Sequence, residues 1–220
     1  SKAKPKELLR LWTEDLTINW ATPNKILLSE RPSVLVKGSG WAFDLQKKTL
    51  EQVLIEKQGL QAVWNKDGTE GLVFGVGLET GASLSLVDAK GRAIKKLSFV
   101  TEPSKCVFSS TVQPPRATST SATGTESGAV ASSTLPVLIC GVPKNYQALE
   151  AKALVDDYQK RAIFTSDNLY QINLSDGSVT ALLVDSEKEM DVDKLRVFGR
   201  KLFFINRLDQ RLYALPLSGV

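Results

Sequence analysis

One local pattern recurs along this chain: a short run of β-branched, aromatic and leucine residues, then a polar turn, then another run. Lys25-Ile26-Leu27-Leu28-Ser29, Gly71-Leu72-Val73-Phe74-Gly75, Ser83 to Asp88, Leu169 to Leu174 and Lys201 to Ile205 all have strand length and strand composition. Asp67-Gly68, Lys90-Gly91 and Asp176-Gly177 supply turns where positive φ is cheap. Taken in order, the runs form a repeat. One unit reads Ala62 to Gly68, Leu72 to Phe74, Leu84 to Gly91 and Ile94 to Leu97. A second reads Asn19-Trp20, Ile26 to Leu28, Trp41 to Leu45 and Glu51 to Ile55. A third holds Lys105 to Ser109, Val137 to Cys140, Leu169 to Leu174 and Val179 to Leu183; a fourth holds Leu195 to Phe198, Leu202 to Ile205 and Arg211 to Leu215. A lone meander cannot cover both its faces, whereas blades packed side by side cover each other. The expected fold class is all-β, a β-propeller built from four-stranded antiparallel blades, with about four blades in this chain.

Residues 1–14 read as an N-terminal extension or the last strand of a preceding blade, and residues 15–220 as the blades. Helical spacing is weak, near Leu8-Leu9-Arg10-Leu11-Trp12 and from Gln147 to Tyr158. The stretch 113–134 is rich in Ser and Thr, contains Pro114-Pro115 and has no aromatic residue. Such a segment buries too little apolar surface to offset its ordering entropy, so a disordered insertion is expected there. It interrupts the third unit and is no domain linker, because Cys106 and Cys140 on either side belong to adjacent strands. Glycosylation or proteolytic nicking are the uses such a loop would have.

Composition excludes several chemistries. The 220 residues include no histidine, so there is no Ser-His-Asp or Cys-His nucleophile and no His-ligated zinc. Two cysteines cannot complete a four-thiolate site. With 28 Lys and Arg against 24 Asp and Glu, the net charge of +4 is small and interspersed, which argues against nucleic acid. No apolar run reaches membrane-spanning length. The chain opens Ser1-Lys2-Ala3-Lys4-Pro5-Lys6 without a methionine, so an upstream signal or anchor is not readable from it.

The residues also carry a resemblance. Trp64-Asn65-Lys66-Asp67-Gly68 before Gly71-Leu72-Val73-Phe74, with Leu86-Val87-Asp88 following, resembles the blade repeat of TolB-like β-propellers. Thr101 to Ser109, Leu138-Ile139-Cys140-Gly141-Val142-Pro143 and Leu202-Phe203-Phe204-Ile205-Asn206 are similar to segments of uncharacterised exported propeller proteins of candidate-phylum bacteria. The resemblance runs from about Leu8 to the end, apart from the Ser/Thr insertion. It implies a protein-interaction platform in the cell envelope without catalysis. It also implies a larger ring, often behind an N-terminal membrane anchor. The long insertion and the Gly199-Arg200-Lys201 turn depart from that pattern.

Candidate chemistry is sparse. Cys106 and Cys140 fall on neighbouring antiparallel strands, which permits a disulfide and hence an oxidising compartment; the alternative is two buried thiols in a cytosolic protein. Phe74-Gly75-Val76-Gly77 is followed by a strand rather than a helix, so it reads as a hairpin and not a dinucleotide loop. The run Asp185 to Asp193 lacks calcium-loop spacing and reads as a solvated connection between blades. Asp156, Asp157, Tyr158 and Asp167 lie between the second and third strands of the third unit, where a propeller loop can face the channel. They are the candidate ligand contacts, against a capping role. Trp20 and Trp64 occupy equivalent first-strand positions, which argues for core packing between blades. Asn173-Leu174-Ser175 is a formal glycosylation sequon read as chance.

The expectation is a non-enzymatic scaffold for a protein partner, with no cofactor, no metal, no nucleic acid, and membrane contact only through a missing N-terminal anchor. It is placed outside the cytoplasm, periplasmic or at the cell surface. The alternative is a carbohydrate-active or carbohydrate-binding propeller using Asp156, Asp157 and Asp167, which predicts that two acids converge in one pocket with a raised pKa.

Overall fold

Strand alternation is legible in the burial of the chain. In Gly81–Asp88 the side chains of Ala82, Leu84 and Leu86 are buried and Ser83 and Ser85 between them are only partly so, the two-residue period of a strand, while Val87 is buried in a second cluster. The computed structural model describes residues 4–13, 15–77, 80–112, 134–145 and 155–217. In chain order the strands are β1 (Leu16–Thr22), β2 (Lys25–Glu30), β3 (Lys37–Asp44), β4 (Thr49–Trp64), β5 (Glu70–Gly77), β6 (Gly81–Asp88) and β7 (Ala93–Lys96). They continue as β8 (Cys106–Val112), β9 (Thr134–Pro143), β10 (Asp167–Asn173), β11 (Val179–Leu183), β12 (Val192–Phe198), β13 (Lys201–Asn206) and β14 (Arg211–Pro216). A 3-10 turn at Pro103–Lys105 precedes β8, and one short helix, α1 (Val155–Gln159), lies between β9 and β10.

Every pairing is antiparallel between sequence neighbours. β8 to β11 form one four-stranded meander and β12 to β14 a three-stranded one. β1 to β7 hydrogen-bond as a single seven-stranded sheet. These are propeller blades, and the first two share a strand. The sequence repeat separates Glu51 to Ile55 from Ala62 to Trp64, but both lie on the 16-residue β4. Its register shifts between Gln58 and Gln61, where Gly59 sits at φ +63° and donates to the Ser33 carbonyl at 2.6 Å. A bulge thus redirects the strand from one blade to the next without a loop.

Two expectations need correction. Leu8 to Trp12 is not helical: Leu9 and Leu11 pack on Ile26, Leu28 and Phe43, while Leu8 and Trp12 are exposed. That is the two-residue period of an extended segment, and contact with a finished sheet face decides it. Trp64 is buried as expected, but Trp20 is 61% exposed. A register shift between Trp20 and Thr22 turns Ala21 inward in its place. Of the second weakly helical stretch, only Val155–Gln159 lies within the described residues. The Ser/Thr-rich insertion lies outside them up to residue 133. The strands flanking it, β8 and β9, pair from Cys106↔Cys140 to Val112↔Thr134.

The first strands of the blades meet at one cleft. Residues from β1, the second half of β4, the turn before β8, and β12 line one common cleft. The last strands, β7, β11 and β14, are largely exposed. On β7 the exposed Lys95 and Lys96 discourage pairing with another sheet edge.

Candidate functional site

Cys106 and Cys140 are directly paired across β8 and β9, with Cα atoms 4.2 Å apart, and form a disulfide. Both are buried among Leu138, Leu84 and Val100. Immediately before Cys106, Lys105 ends the 3-10 turn with its side chain wholly inside the protein. A buried ammonium is tolerated only when paired and hydrogen-bonded. The Lys105 Nζ donates to Asp167 Oδ2 at 2.5 Å, to Asp191 Oδ1 at 2.7 Å and to Thr165 Oγ1 at 2.5 Å.

Each partner is held by a different element. Asp167 opens β10, and its Oδ2 also accepts from the Val192 amide at 2.8 Å. Asp191 precedes β12, with its amide donating to Asn206 Oδ1 at 3.0 Å. Tyr158, on α1, donates its hydroxyl to Asp191 Oδ1 at 2.7 Å. Arg207, after β13, reaches Asp191 Oδ2 at 3.2 Å and the Tyr158 carbonyl at 2.5 Å, with its guanidinium 3.6 Å from the Tyr158 ring centre. The network ties the third blade, the fourth blade and α1 together.

The two carboxylates are not equivalent. Burial pushes Asp167 up, and the Lys105 ammonium opposes this without overcoming it. Its Oδ1 meets no well-aligned donor among the described residues, because the Thr165 hydroxyl donates to Asp191 at 3.0 Å instead. Asp191 is also pushed up by burial, but Lys105, Tyr158 and Arg207 together outweigh that and hold it below the usual carboxylate range. The Tyr158 hydroxyl is pushed far up by burial and by the Asp191 charge, so it remains a donor. Glu102, one turn before Lys105, is raised to about 7 by burial, partly offset by Lys105, the Gln61 amide and Arg207. Lys105 and Arg207 thus bring two cations against the carboxyl groups of Asp167 and Asp191.

The four residues singled out from sequence therefore separate. Tyr158 and Asp167 are both bonded into this cluster, through Asp191 and Lys105. Asp156 turns away, accepting the Val34 amide at 2.8 Å and so fastening the loop between β2 and β3 to α1. Asp157 is exposed. Sequence reading missed Lys105, Arg207 and Asp191. Asp191 lies in the run read as a solvated connection, yet it is fully buried. A mixed charge run carries no mark of which member turns inward. The one available signal is that Asp191 sits between the apolar Met190 and Val192, both buried. Among the described residues no group of three or more acids or cysteines is placed to hold a metal ion.

No known family pattern matches the chain, and no curated protein sequence does. Among solved structures it is similar to TolB from Acinetobacter baumannii, with 12% identity and a TM-score of 0.48 over 90% of this chain and 39% of that one. It is also similar to the β-propeller domain of the Trilobed protease from Pyrococcus furiosus, with 12% identity and a TM-score of 0.40 over 87% of this chain and 53% of that one. A third is an oligogalacturonate lyase in complex with manganese, with 13% identity and a TM-score of 0.43 over 94% of this chain and 58% of that one. The chain thus spans less than two thirds of the length of each.

Proposed function

We propose that the chain is a non-enzymatic propeller scaffold that recognises a protein partner in an oxidising, extracytoplasmic compartment. The observation that carries this reading is the commitment of the acids. Carboxylate catalysis needs two acids open to one pocket, with substrate between them. Asp167 and Asp191 are instead sealed and bridged by Lys105, Asp156 caps a backbone amide, and Asp157 stands apart on the surface. The Cys106–Cys140 disulfide supports the compartment, since such bonds persist where thiols are not kept reduced.

The test uses cells making the full-length protein, quenched in acid and treated with a maleimide–polyethylene glycol reagent. Cys106 and Cys140 unmodified before reduction and both modified after it, read by peptide mass mapping, is the expected result. Modification of both Cys106 and Cys140 before reduction would return the chain to the cytosol and overturn the compartment. Cross-linking in the same intact cells should give a discrete heavier species containing the protein; monomer alone would overturn the scaffold reading.

A further inference from the structure

The cleft shared by the first strands has a volume of about 300 Å³ and two cationic side chains on its wall, Lys194 and Arg196 of β12. They are there because β12 is bulged. Asp193 pairs with Ile205 and Arg196 with Phe203, so two residues of β12 stand opposite Phe204 alone. Strict alternation from the buried Val192 would turn Lys194 and Arg196 toward the packed interior. The extra residue resets the phase: Leu195 is fully buried, and Lys194 and Arg196 are exposed. Lys194 holds φ at +54°, a conformation that costs a side-chain-bearing residue on the order of 1 kcal/mol or more and that clusters at functional positions.

Neither cation is ion-paired with another described residue. Arg196 gives one N–H to the neighbouring Leu195 carbonyl at 2.9 Å, which leaves the rest of its donor fork free. Glu30 lines the same cleft, but its Oε2 accepts the Ser39 amide at 2.8 Å and its Oε1 the Thr13 hydroxyl at 3.3 Å. Ser104 and Thr17, both exposed, add neutral hydroxyl donors to the lining. Two uncommitted cations and neutral donors around a small concavity suit an oxyanion, and Arg suits its planar or tetrahedral geometry.

We propose that this cleft binds the carboxylate or phosphate group of a small ligand, held by Lys194 and Arg196, with Ser104 and Thr17 as neutral donors. This ligand site goes beyond the partner-recognition role above and does not depend on it. The two fail separately, because thiol state and cross-linking are read in cells and ligand binding on purified protein.

The experiment is calorimetric titration of the full-length protein with inorganic phosphate, acetate and citrate, at constant ionic strength set with chloride. Saturable binding of one molecule per chain is expected for at least one probe. Phosphate alone would identify a phosphate ligand; acetate or citrate alone would identify a carboxylate. Lys194→Ala with Arg196→Ala should weaken that binding by about tenfold or more, as should Lys194→Gln with Arg196→Gln, which keeps side-chain length. Lys90→Ala, on an exposed turn, should leave it unchanged. Circular dichroism of both double variants should match the parent. No saturable binding by any probe would overturn the proposal. So would binding that survives either folded double variant.

Discussion

Replacing Lys105 with methionine tests how the last two blades are held together. Lys105→Met keeps the length and most of the volume of the side chain, so little cavity is expected. It removes the cation whose side chain is 1% exposed and which bonds Asp167 at 2.5 Å and Asp191 at 2.7 Å. Asp191 would keep Tyr158, Thr165 and Arg207 as partners. Asp167 would keep only the Val192 amide, and so becomes a buried carboxylate without a cation. Breaking one side of a buried ion pair costs about 3–5 kcal/mol. In a domain of this size that lowers the melting temperature by about 10 °C. The deficit depends on pH with a definite sign. An unpaired buried carboxylate has a folded pKa above its unfolded one, so the folded variant binds the extra proton and regains stability as pH falls. Urea unfolding of the oxidised protein, followed by tryptophan fluorescence at pH 8 and pH 5, should show the larger deficit at pH 8. Lys105→Met combined with Asp167→Asn should recover much of the loss, because the orphaned charge is gone. A single-variant cost under about 1 kcal/mol at pH 8 would refute the reasoning. So would a double variant that is worse than the two single changes summed.

Glu102 carries a pH dependence of the same sign in the unsubstituted protein. Its folded pKa is raised from 4.5 to about 7, so its contribution is present below pH 4.5 and lost as pH rises toward 7. Glu102→Gln should remove a pH-dependent loss on the order of 3 kcal/mol across that window, read by urea midpoints at several pH values; an unchanged pH profile would argue against burial as the cause. Cys106→Ala with Cys140→Ala opens a link spanning 34 residues and should cost about 3–4 kcal/mol in thermal or urea unfolding; an unchanged melting temperature would refute the staple. At Gly91, φ is +75° and an added Cβ would stand 1.7 Å from the Val53 carbonyl oxygen. Gly91→Ala should therefore lower stability by more than about 2 kcal/mol, and a neutral result would mean that the turn relaxes freely.

Strand runs and their turns were readable in the sequence because both signals are local. Ala82 to Leu86 alternates as a strand does, and Gly91 follows Asp88 at the spacing a tight turn needs. Strand order within each sheet was legible, since every pairing joins strands adjacent in sequence, but the fusion of the first two units into one seven-stranded sheet was not. The pairing of Cys106 with Cys140 was legible for the same reason, once both were placed on adjacent strands.

Packing between blades was a different matter. The 16-residue β4 continues through a bulge at Gly59, which no composition shift announces. Whether Trp20 or Ala21 faces inward turned on a one-residue register shift, and a shift of that size moves side chains to the other face. The candidate site is the clearest case. Lys105, Tyr158, Asp167, Asp191 and Arg207 come from five separate stretches of chain, and each by itself looks like an ordinary surface residue. Local pattern sets which residues form strands and where the chain turns. Which charges are buried together, and which cations remain unpaired at the cleft between the first strands, is decided only when the blades meet, because desolvation and ion pairing depend on neighbours far away in sequence.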